Sequence, residues 1–224
     1  MNAKIYISDI APLENDEYFK KMYETVSVLR QQKIDRLHFL KDKRLSLGVH
    51  LLLNKALGEI GITDKNPEIA LGEHGKPYFK NIPDIHFNLS HSGTKVMCAV
   101  SPSPVGCDVE NVQKPNLAIA EKFFSNEEYE FISAKETESE QADYFCRIWT
   151  LKESFVKCTG LGLSLPLKNF SVIPVNQKIC LKQDIDCLNY NFFEVNLNDG
   201  YKYACCVKNE DLRKTEFSVK EIVL

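Results

Sequence analysis

Short strand-like runs, some alternating between apolar and polar residues and some continuously apolar, recur along the whole chain. Side chains of a strand point alternately to its two faces, so this period of two predicts strands that bury one face. The first run lies near the start of the chain, and the others lie in both halves. The predicted strands cover residues 3–8, 86–89, 95–100, 105–110, 169–174, 191–197 and 202–208.

Longer segments between these runs place apolar residues three and four positions apart, which is the period of a helix. The clearest segment covers residues 42–58 and is followed by Gly61, a residue type that commonly lies just beyond a helix end. The remaining predicted helices cover residues 15–30, 116–134 and 139–158. The second half therefore repeats the mixture of helices and strands found in the first.

A connection near the middle of the chain marks a candidate boundary. Pro102 and Pro104 lie between two predicted strands, where proline interrupts regular structure. The hairpin that begins at Asn88 and the one that begins at Asn196 share several residues in the same order. This shared order suggests two related halves, although unrelated hairpins often have similar compositions.

Composition limits the classes of protein to which this chain can belong. With 224 residues, 44% hydrophobic and 26% charged, it suits one large globular domain or two small ones. Its net charge of -3 argues against a general nucleic-acid binder, so any attraction to phosphate requires a local basic patch. We find no run that could span a membrane and no signal-peptide pattern, and we expect a cytoplasmic protein.

Eight cysteines form no C-x-x-C pair, and several lie inside apolar strand-like runs. We expect reduced thiols that pack as small hydrophobic side chains, rather than a disulfide framework or a zinc site. The cysteines lie at positions 98, 107, 146, 158, 180, 187, 205 and 206.

Asp108 and Glu110 form the first pair with candidate chemistry. They alternate with Cys107 and Val109 in a predicted strand, so both carboxylates point to the same face. Adjacent negative charges repel unless a cation lies between them, and Mg2+ typically binds one or two carboxylates together with substrate phosphates. The simpler alternative is an exposed strand edge with two solvated acids.

A second constellation lies on the predicted helix 139–158. Phe145, Trp149 and Glu153 are spaced four apart and share one helix face, and Lys157 follows one turn later. Glu153 is thus a candidate metal ligand or proton acceptor, and Lys157 is a candidate phosphate anchor. The alternative is an ordinary Glu–Lys pair within the helix, worth about 0.2–0.5 kcal/mol.

Two further segments offer polar groups that suit a phosphate. Ser90, His91 and Ser92 bring hydroxyls, an imidazole and backbone N–H groups together between two strand-like runs. Lys76 follows a glycine and precedes a proline, a setting that could hold its ammonium in place. The alternatives are a plain turn, a Ser–His nucleophile and an ordinary surface lysine.

The order and spacing of these motifs closely resemble those of the Sfp-type 4′-phosphopantetheinyl transferases. The resemblance covers nearly the whole chain, and the length also suits the monomeric class of these enzymes. The matching motifs are Gly75-Lys76-Pro77, Phe87-Asn88-Leu89-Ser90-His91-Ser92, Gly106-x-Asp108-x-Glu110, Phe123-Phe124-Ser125 with Glu128, Trp149-x-x-Lys152-Glu153-Ser154-x-x-Lys157, and Gly160-x-Gly162-Leu163-Ser164-Leu165-Pro166.

This resemblance implies an α+β fold of two similar α/β halves, related by pseudo-twofold symmetry, with the active site in the cleft between them. It assigns residues 1–103 to a half that supplies coenzyme A contacts. It assigns residues 104–224 to a half that carries the magnesium ligands, the general base and the carrier-docking surface. The resemblance also implies a monomer.

The activity implied by the resemblance is the Mg2+-dependent transfer of a phosphopantetheine arm. Coenzyme A would donate its 4′-phosphopantetheine to a serine of an apo acyl or peptidyl carrier protein and leave as adenosine 3′,5′-bisphosphate. Neither a nucleic acid nor a membrane is an expected partner. Two alternatives stay open, namely another Mg2+-dependent phosphate-ester enzyme and a non-catalytic coenzyme A binding protein.

Carried over position by position, the resemblance assigns the metal ligands to Asp108, Glu110 and Glu153. Glu153 is also the candidate general base for the carrier serine, and Lys157 is the candidate catalytic residue that contacts the pyrophosphate. The predicted contacts with coenzyme A phosphates or nucleotide are Arg30, Lys33, Arg44, Lys76, Ser90, His91 and Lys157. The first two of these would lie near the 3′-phosphate.

The segment after the helix 139–158 is the predicted contact with the carrier protein. It contains Leu161, Leu163 and Leu165 at alternating positions, preceded by Cys158. Exposed alternating leucines would suit an amphipathic helix of a partner. The alternative is a strand whose leucines are buried.

Overall fold

The computed structural model describes residues 2–64, 67–175, 178–209 and 215–224, which form helices and strands in irregular order. The strands are β1 (Asn2–Asp9), β2 (Ile69–Leu71), β3 (Pro77–Phe79), β4 (His86–Ser92), β5 (Lys95–Ser101), β6 (Val105–Asn111), β7 (Ser171–Val175), β8 (Lys178–Lys182), β9 (Asn189–Val195), β10 (Tyr201–Asn209) and β11 (Glu216–Glu221). The helices are α1 (Asp16–Tyr23), α2 (Val28–Asp35), α3 (Leu40–Glu59), α4 (Leu117–Phe123), α5 (Asn126–Ser133) and α6 (Glu138–Thr159).

The first sheet has four strands in the order β11-β1-β5-β4. Strand β5 pairs antiparallel with β1 and with β4, whereas β11 runs parallel to β1. Helix α3 covers one face of this sheet, because its apolar residues are buried in one cluster with strand residues such as Phe87 and Val96. The helix contributes Leu47, Leu52 and Leu53 to that cluster.

The second sheet has three antiparallel strands in the order β6-β10-β9. Helix α6 covers one face of it. Leu151 and Phe155 of the helix are fully buried in a cluster that also contains Ala204 and Cys206 of β10. Hairpin β7–β8 joins this cluster through Val172, and helices α4 and α5 pack beside α6 around a separate apolar cluster.

The uncovered faces of the two sheets pack against each other. Strand alternation places Ile5 and Ile7 of β1 on the face that meets Cys107 of β6 and Cys205 of β10. The resulting order of layers is α3, first sheet, second sheet and α6. This packing brings the edge strands β4 and β6 side by side, although they belong to different sheets.

The mixed α+β character of the fold is confirmed, whereas the pseudo-twofold relation of two halves stays a prediction. One strand belongs to the second predicted half in sequence but to the first sheet in structure. Strand β11 lies at the end of the chain yet pairs with β1 in the first sheet, and Leu224 is buried in the core beneath α3. The division into residues 1–103 and 104–224 also stays a prediction.

Two segments predicted to be helical are confirmed as helical, but each contains a break. The segment 15–30 forms α1 and the start of α2, because Ser27 has extended backbone and its hydroxyl accepts the Arg30 N–H as an N-cap. The segment 116–134 forms α4 and α5, which are separated where Ser125 and Glu128 form a capping box. The long helices α3 and α6 confirm the predictions at 42–58 and 139–158.

The predicted strands are confirmed with shifted ends, and four strands were not predicted. The main correction is that β4 continues to Ser92, so the turn lies at Gly93, which has a positive φ of 59°. The unpredicted strands β2 and β3 have three residues each, whereas β8 and β11 alternate polar and apolar residues only over short, largely exposed runs.

The cysteines are free thiols, as predicted, and six of them are buried. Cys180 and Cys187 are exposed, which corrects the expectation of burial for those two. In the described part of the chain, no helix has the length and apolar character needed to cross a membrane.

Candidate active site

A glycine allows helix α6 to touch strand β6 directly. A Cβ atom added at Gly106 would lie 2.0 Å from the carbonyl oxygen of Ser154 and 2.3 Å from the backbone nitrogen of Cys158. Any side chain here would therefore push the helix away from the strand. The close approach brings Asp108 of β6 into contact with Lys157 of α6.

Asp108 is a buried carboxylate with one satisfied and one unsatisfied oxygen. Its Oδ1 accepts from Lys157 Nζ at 2.6 Å and from Ser90 Oγ at 2.7 Å. Its Oδ2 is buried and has no hydrogen-bond partner among the described residues. Burial raises the pKa of Asp108 in spite of the Lys157 charge. An unpartnered carboxylate oxygen in such a place suits a bound cation.

Glu110 and Glu153 add two further carboxylates to this region. Ser92 Oγ donates to Glu110 Oε2 at 2.8 Å. Burial raises the pKa of Glu110, and the charges of Asp108 and Glu153 raise it further. Burial followed by the Asp108 charge likewise raises the pKa of Glu153. The three acids therefore lie close enough to repel one another, and Lys157 does not cancel that repulsion.

These three residues have the donor chemistry for a hard divalent cation. Mg2+ prefers oxygen ligands, and Asp108 Oδ2 is a buried oxygen without a hydrogen-bond donor among the described residues, so it could bind a cation. Across the residues that the structure describes, no three His, Cys, Asp or Glu side chains already form a ready cage for a metal. The set fits a Mg2+ ion that takes its remaining ligands from a substrate or water.

Lys157 is a charged residue at the centre of the site. Burial alone would lower the pKa of its ammonium, but the Asp108 carboxylate raises it above the ordinary value. Its Nζ also lies 3.3 Å from Ser90 Oγ. Two of its three N–H groups are thus engaged within the described part of the chain, which leaves the third for an incoming anion.

Two cavities meet at Trp149. The larger has a volume of about 860 Å³ and mostly apolar walls, and Glu153 and Lys157 line it. The smaller has a volume of about 390 Å³, and Ser92 and Glu110 line it. The larger volume lies within the range of small-molecule sites, so Glu153 and Lys157 border a space that could hold a sizeable ligand, while Glu110 borders the smaller cavity.

Lys76 lines the larger cavity, but its ammonium is already bonded. Nζ donates to the carbonyl oxygens of Val105 at 2.9 Å and Cys158 at 3.1 Å. Burial lowers its pKa. The lysine thereby ties the segment before β3 to β6 and to the end of α6. His91, by contrast, is exposed on β4 between the two serines.

The predicted coenzyme A contacts on α2 and α3 lie outside the residues that line these two cavities. The Arg30 guanidinium donates to the carbonyl and hydroxyl oxygens of Ser46. Arg44 donates to the carbonyl oxygen of Glu14 and to Asp16, whereas Lys33 is exposed. Their roles stay predictions.

Lys152 belongs to the matched motif but does not reach either cavity wall. It is fully buried and pairs with the equally buried Glu128 at 2.7 Å. Its neighbour Glu153 faces the large cavity, so adjacent residues of α6 serve opposite sides. The spacing of Ile148, Lys152 and Phe155 matches the buried helix face, and that was the available signal.

The predicted docking segment forms a turn rather than a strand. Residues Gly162–Ser164 form a 3-10 turn, which breaks the alternation on which the prediction relied. Cys158 and Leu165 are buried, Leu161 is half-buried, and Leu163 is fully exposed. Of the predicted docking side chains, Leu163 alone offers its full surface, and it lies at the rim of the larger cavity.

Comparisons with known proteins cover almost the whole chain. Residues 104–206 match the family described as the 4′-phosphopantetheinyl transferase superfamily. Residues 12–103 match the family described as 4′-phosphopantetheinyl transferase, N-terminal. These two matches meet in the connection between β5 and β6.

Several curated relatives are similar over most of their length. The 4′-phosphopantetheinyl transferase Sfp of Bacillus subtilis (strain 168) is 34% identical over 202 residues, which cover 89% of this chain and 89% of that protein. The 4′-phosphopantetheinyl transferase gsp of Aneurinibacillus migulanus is 34% identical, over 87% of this chain and 82% of that protein. Among solved structures, the holo-acyl-carrier-protein synthase of Thermotoga maritima aligns with 49% of this chain and 64% of that one, with a TM-score of 0.42 at 20% identity.

Proposed function

The chain belongs to the 4′-phosphopantetheinyl transferase superfamily, and from that premise we propose that it transfers phosphopantetheine from coenzyme A to a carrier protein. The acceptor is a serine of an apo acyl or peptidyl carrier, and the other product is adenosine 3′,5′-bisphosphate. One observation carries the proposal most strongly. The buried Asp108 has an unpartnered oxygen close to Glu110 and Glu153, and it pairs with Lys157, which lines the larger cavity together with Glu153.

We assign a Mg2+ site to Asp108, Glu110 and Glu153. The raised pKa values of the three acids are consistent with this assignment, because burial disfavours each charged carboxylate and neighbouring acids add to that effect at Glu110 and Glu153, so a bound cation would stabilise all three. When bound, Mg2+ would neutralise pyrophosphate charge and favour departure of the nucleotide. Removal of divalent metal should therefore abolish transfer.

Lys157 binds the pyrophosphate of coenzyme A in this proposal. The Asp108 carboxylate keeps its ammonium charged and fixes its direction, and one N–H group stays available for a phosphate oxygen. A fixed cation at that point stabilises the charge that develops on the leaving group. This role requires no movement of α6.

Glu153 is the proposed general base. Its carboxylate lines the large cavity, and burial and the Asp108 charge raise its pKa toward the range in which a base works best near neutral pH. Glu153 takes the proton of the carrier serine, directly or through a water molecule. The serine oxygen then forms a bond to the β-phosphorus, and the bond from that phosphorus to the nucleotide breaks.

The remaining coenzyme A contacts belong to the same proposal. His91 and Lys33 are exposed and can reach a phosphate directly. Lys76, Ser90, Arg30 and Arg44 already hold protein partners, so each would exchange or share a hydrogen bond on binding. The six residues with these contacts are Arg30, Lys33, Arg44, Lys76, Ser90 and His91.

We place the carrier at the rim of the larger cavity. Phe123 and Leu163 are exposed there, and Lys122 and Lys168 are exposed beside them. An amphipathic helix that presents the acceptor serine could cover these apolar side chains.

We also propose that the protein acts as a monomer in the cytoplasm. Light scattering would measure the oligomeric state, and cell fractionation would measure the location.

The test mixes the protein with coenzyme A, Mg2+ and an apo carrier, and measures the carrier mass. We expect a gain of one phosphopantetheine, no gain with a chelator, and no gain with Glu153→Gln. Lys182→Ala serves as a matched control, because it removes an exposed ion pair on β8 away from the site. Unchanged masses for several acyl and peptidyl carriers would reject the transferase proposal. Hydrolysis of coenzyme A alone would favour another phosphate-ester enzyme.

A further inference from the structure

Strands β4 and β6 are joined by side chains rather than by a backbone ladder. Each is an edge strand of its own sheet, so the N–H groups along the free edge of β6 need other acceptors. Three of these N–H groups bond to alternate side chains of β4. The pairs are Cys107 N with Asn88 Oδ1 at 2.8 Å, Val109 N with Ser90 Oγ at 3.3 Å, and Asn111 N with Ser92 Oγ at 3.2 Å.

Both serines of this ladder also donate to a carboxylate of the site. Ser90 Oγ donates to Asp108 Oδ1 at 2.7 Å, and Ser92 Oγ donates to Glu110 Oε2 at 2.8 Å. The same geometry thus occurs twice, two residues apart on each strand. Strand alternation explains the repeat, because Ser90 and Ser92 share a face of β4 as Asp108 and Glu110 share a face of β6.

The backbone bond fixes the direction of each hydroxyl. The N–H of Asn111 can only donate, so it occupies an acceptor position of Ser92 Oγ. The single hydroxyl proton of Ser92 then points to Glu110. A hydroxyl fixed in this way favours one orientation of the Glu110 carboxylate. Residues that support metal ligands commonly have this role.

From this geometry we propose that Ser92 is a positioning residue that orients Glu110 for the divalent metal. The inference rests on the proposed function, because it assumes that Glu110 is a metal ligand. Ser92 is the better test than Ser90, since Ser90 also contacts Lys157 and is a candidate coenzyme A contact. Ser92 contacts the proposed metal site through Glu110, and its bond from Asn111 N also joins β4 to β6.

The test measures binding of Mn2+ to the protein alone by titration calorimetry. Ser92→Ala should weaken Mn2+ binding by about 10-fold to 100-fold, the range typical for loss of a group that supports a metal ligand. Ser92→Thr keeps the hydroxyl in a strand and should restore affinity close to that of the wild type. Ser218→Ala is the matched control, because it removes the same hydroxyl from an exposed position of β11.

A double variant separates positioning from general damage. Ser92→Ala combined with Glu110→Gln should bind Mn2+ no more weakly than Glu110→Gln alone, because the serine has then lost the group through which it acts. Ser92→Cys keeps the side-chain volume but offers only a weak S–H donor, so it tests the same bond if Ser92→Ala does not fold. We expect Ser92→Cys also to lose affinity.

Two outcomes would overturn the inference. One is wild-type Mn2+ affinity in a folded Ser92→Ala or Ser92→Cys protein. The other is additivity, in which the double variant loses as much Mn2+ binding free energy as the two single variants lose together. Additivity would mean that Ser92 does not act through Glu110. If the wild-type protein binds no Mn2+, the metal assignment fails together with this inference, while the carrier mass assay still judges the transferase proposal by itself.

Discussion

Lys152 and Lys157 lie five residues apart on helix α6, and each pairs with a buried carboxylate. Lys152 directs all three of its N–H groups at protein acceptors, namely the two oxygens of Glu128 and the carbonyl oxygen of Phe170. Glu128 is equally saturated, because it also accepts the N–H groups of Ser125 and Val172. This pair has no capacity left for a ligand.

The pair formed by Lys157 and Asp108 is incomplete by comparison. Asp108 keeps one buried oxygen without a partner among the described residues, and two further acids lie near it. Lys157 has a donor to spare and faces a cavity. The difference teaches that a closed ion pair holds this helix in place, whereas the open pair is the one prepared for substrate and metal.

The largest expected effect is the loss of the closed pair. Lys152→Ala should lower the free energy of unfolding by about 3–5 kcal/mol, because Glu128 would stay charged and buried without its partner. Urea denaturation measures the change. The double variant Lys152→Met with Glu128→Gln removes both charges and keeps an acceptor oxygen for the N–H groups of Ser125 and Val172, so it should recover part of the loss. A double variant as unstable as Lys152→Ala would contradict this account of the pair.

Loss of the open pair should affect catalysis instead of folding. Lys157→Met should reduce the rate of phosphopantetheine transfer by about 100-fold to 1,000-fold, the usual range for removal of one group that stabilises developing charge. Its loss of unfolding free energy should be smaller than that of Lys152→Ala, since Lys157 is partly exposed. Stopped-time mass measurements on the carrier and urea denaturation would show whether the two lysines divide their roles in this way.

A half-buried histidine, His50, should respond to pH. Burial, with help from the charges of Arg30 and Lys33, lowers the pKa of His50 from 6.5 to about 4. Between these pH values His50 is protonated in the unfolded chain and neutral in the folded chain. The free energy of unfolding therefore falls as pH decreases from 6.5 to 4. His50→Gln should remove on the order of 2–3 kcal/mol of that pH dependence. Identical pH profiles of unfolding free energy for variant and wild type would contradict this reasoning.

The smallest effect is expected for an exposed ion pair whose N···O distance equals that of the buried pair of Lys152 and Glu128. Lys182 and Glu127 are 2.7 Å apart, yet more than half of each side chain is exposed. Lys182→Ala should change the free energy of unfolding by less than about 1 kcal/mol and leave transfer unchanged. A loss as large as that for Lys152→Ala would mean that burial does not explain the contrast between the pairs.

Local geometry allowed much of the candidate site to be predicted from the sequence. Alternation in β6 gave the shared face of Asp108 and Glu110, and helical spacing gave the neighbouring positions of Glu153 and Lys157. The sequence placed Ser92 in a turn after a strand, because a run of polar residues resembles a turn, whereas the structure places it in β4. Its contacts with Glu110 and Asn111 depend on the edge of β6, which no local pattern reveals.

The parts of the fold that were missed depend on distant contacts. Strand β11 is largely exposed and alternates only over a short run, and its parallel pairing with β1 joins distant parts of the chain. The spacing of Lys152 with Ile148 and Phe155 indicates the buried helix face, but its charge partner Glu128 lies on another helix, and no helical pattern identifies that partner. The two helix breaks, by contrast, could have been predicted from Ser27 and from the capping box at Ser125.

Transfer by Asp108→Asn at rising Mg2+ concentration tests the central claim most directly. The amide keeps the shape of Asp108 but removes the charge and the oxygen that we assign to the metal. The carrier mass should stay that of the apo form at every Mg2+ concentration, while thermal unfolding shows a folded protein. Full conversion of the carrier by the folded variant at saturating Mg2+ would contradict the account.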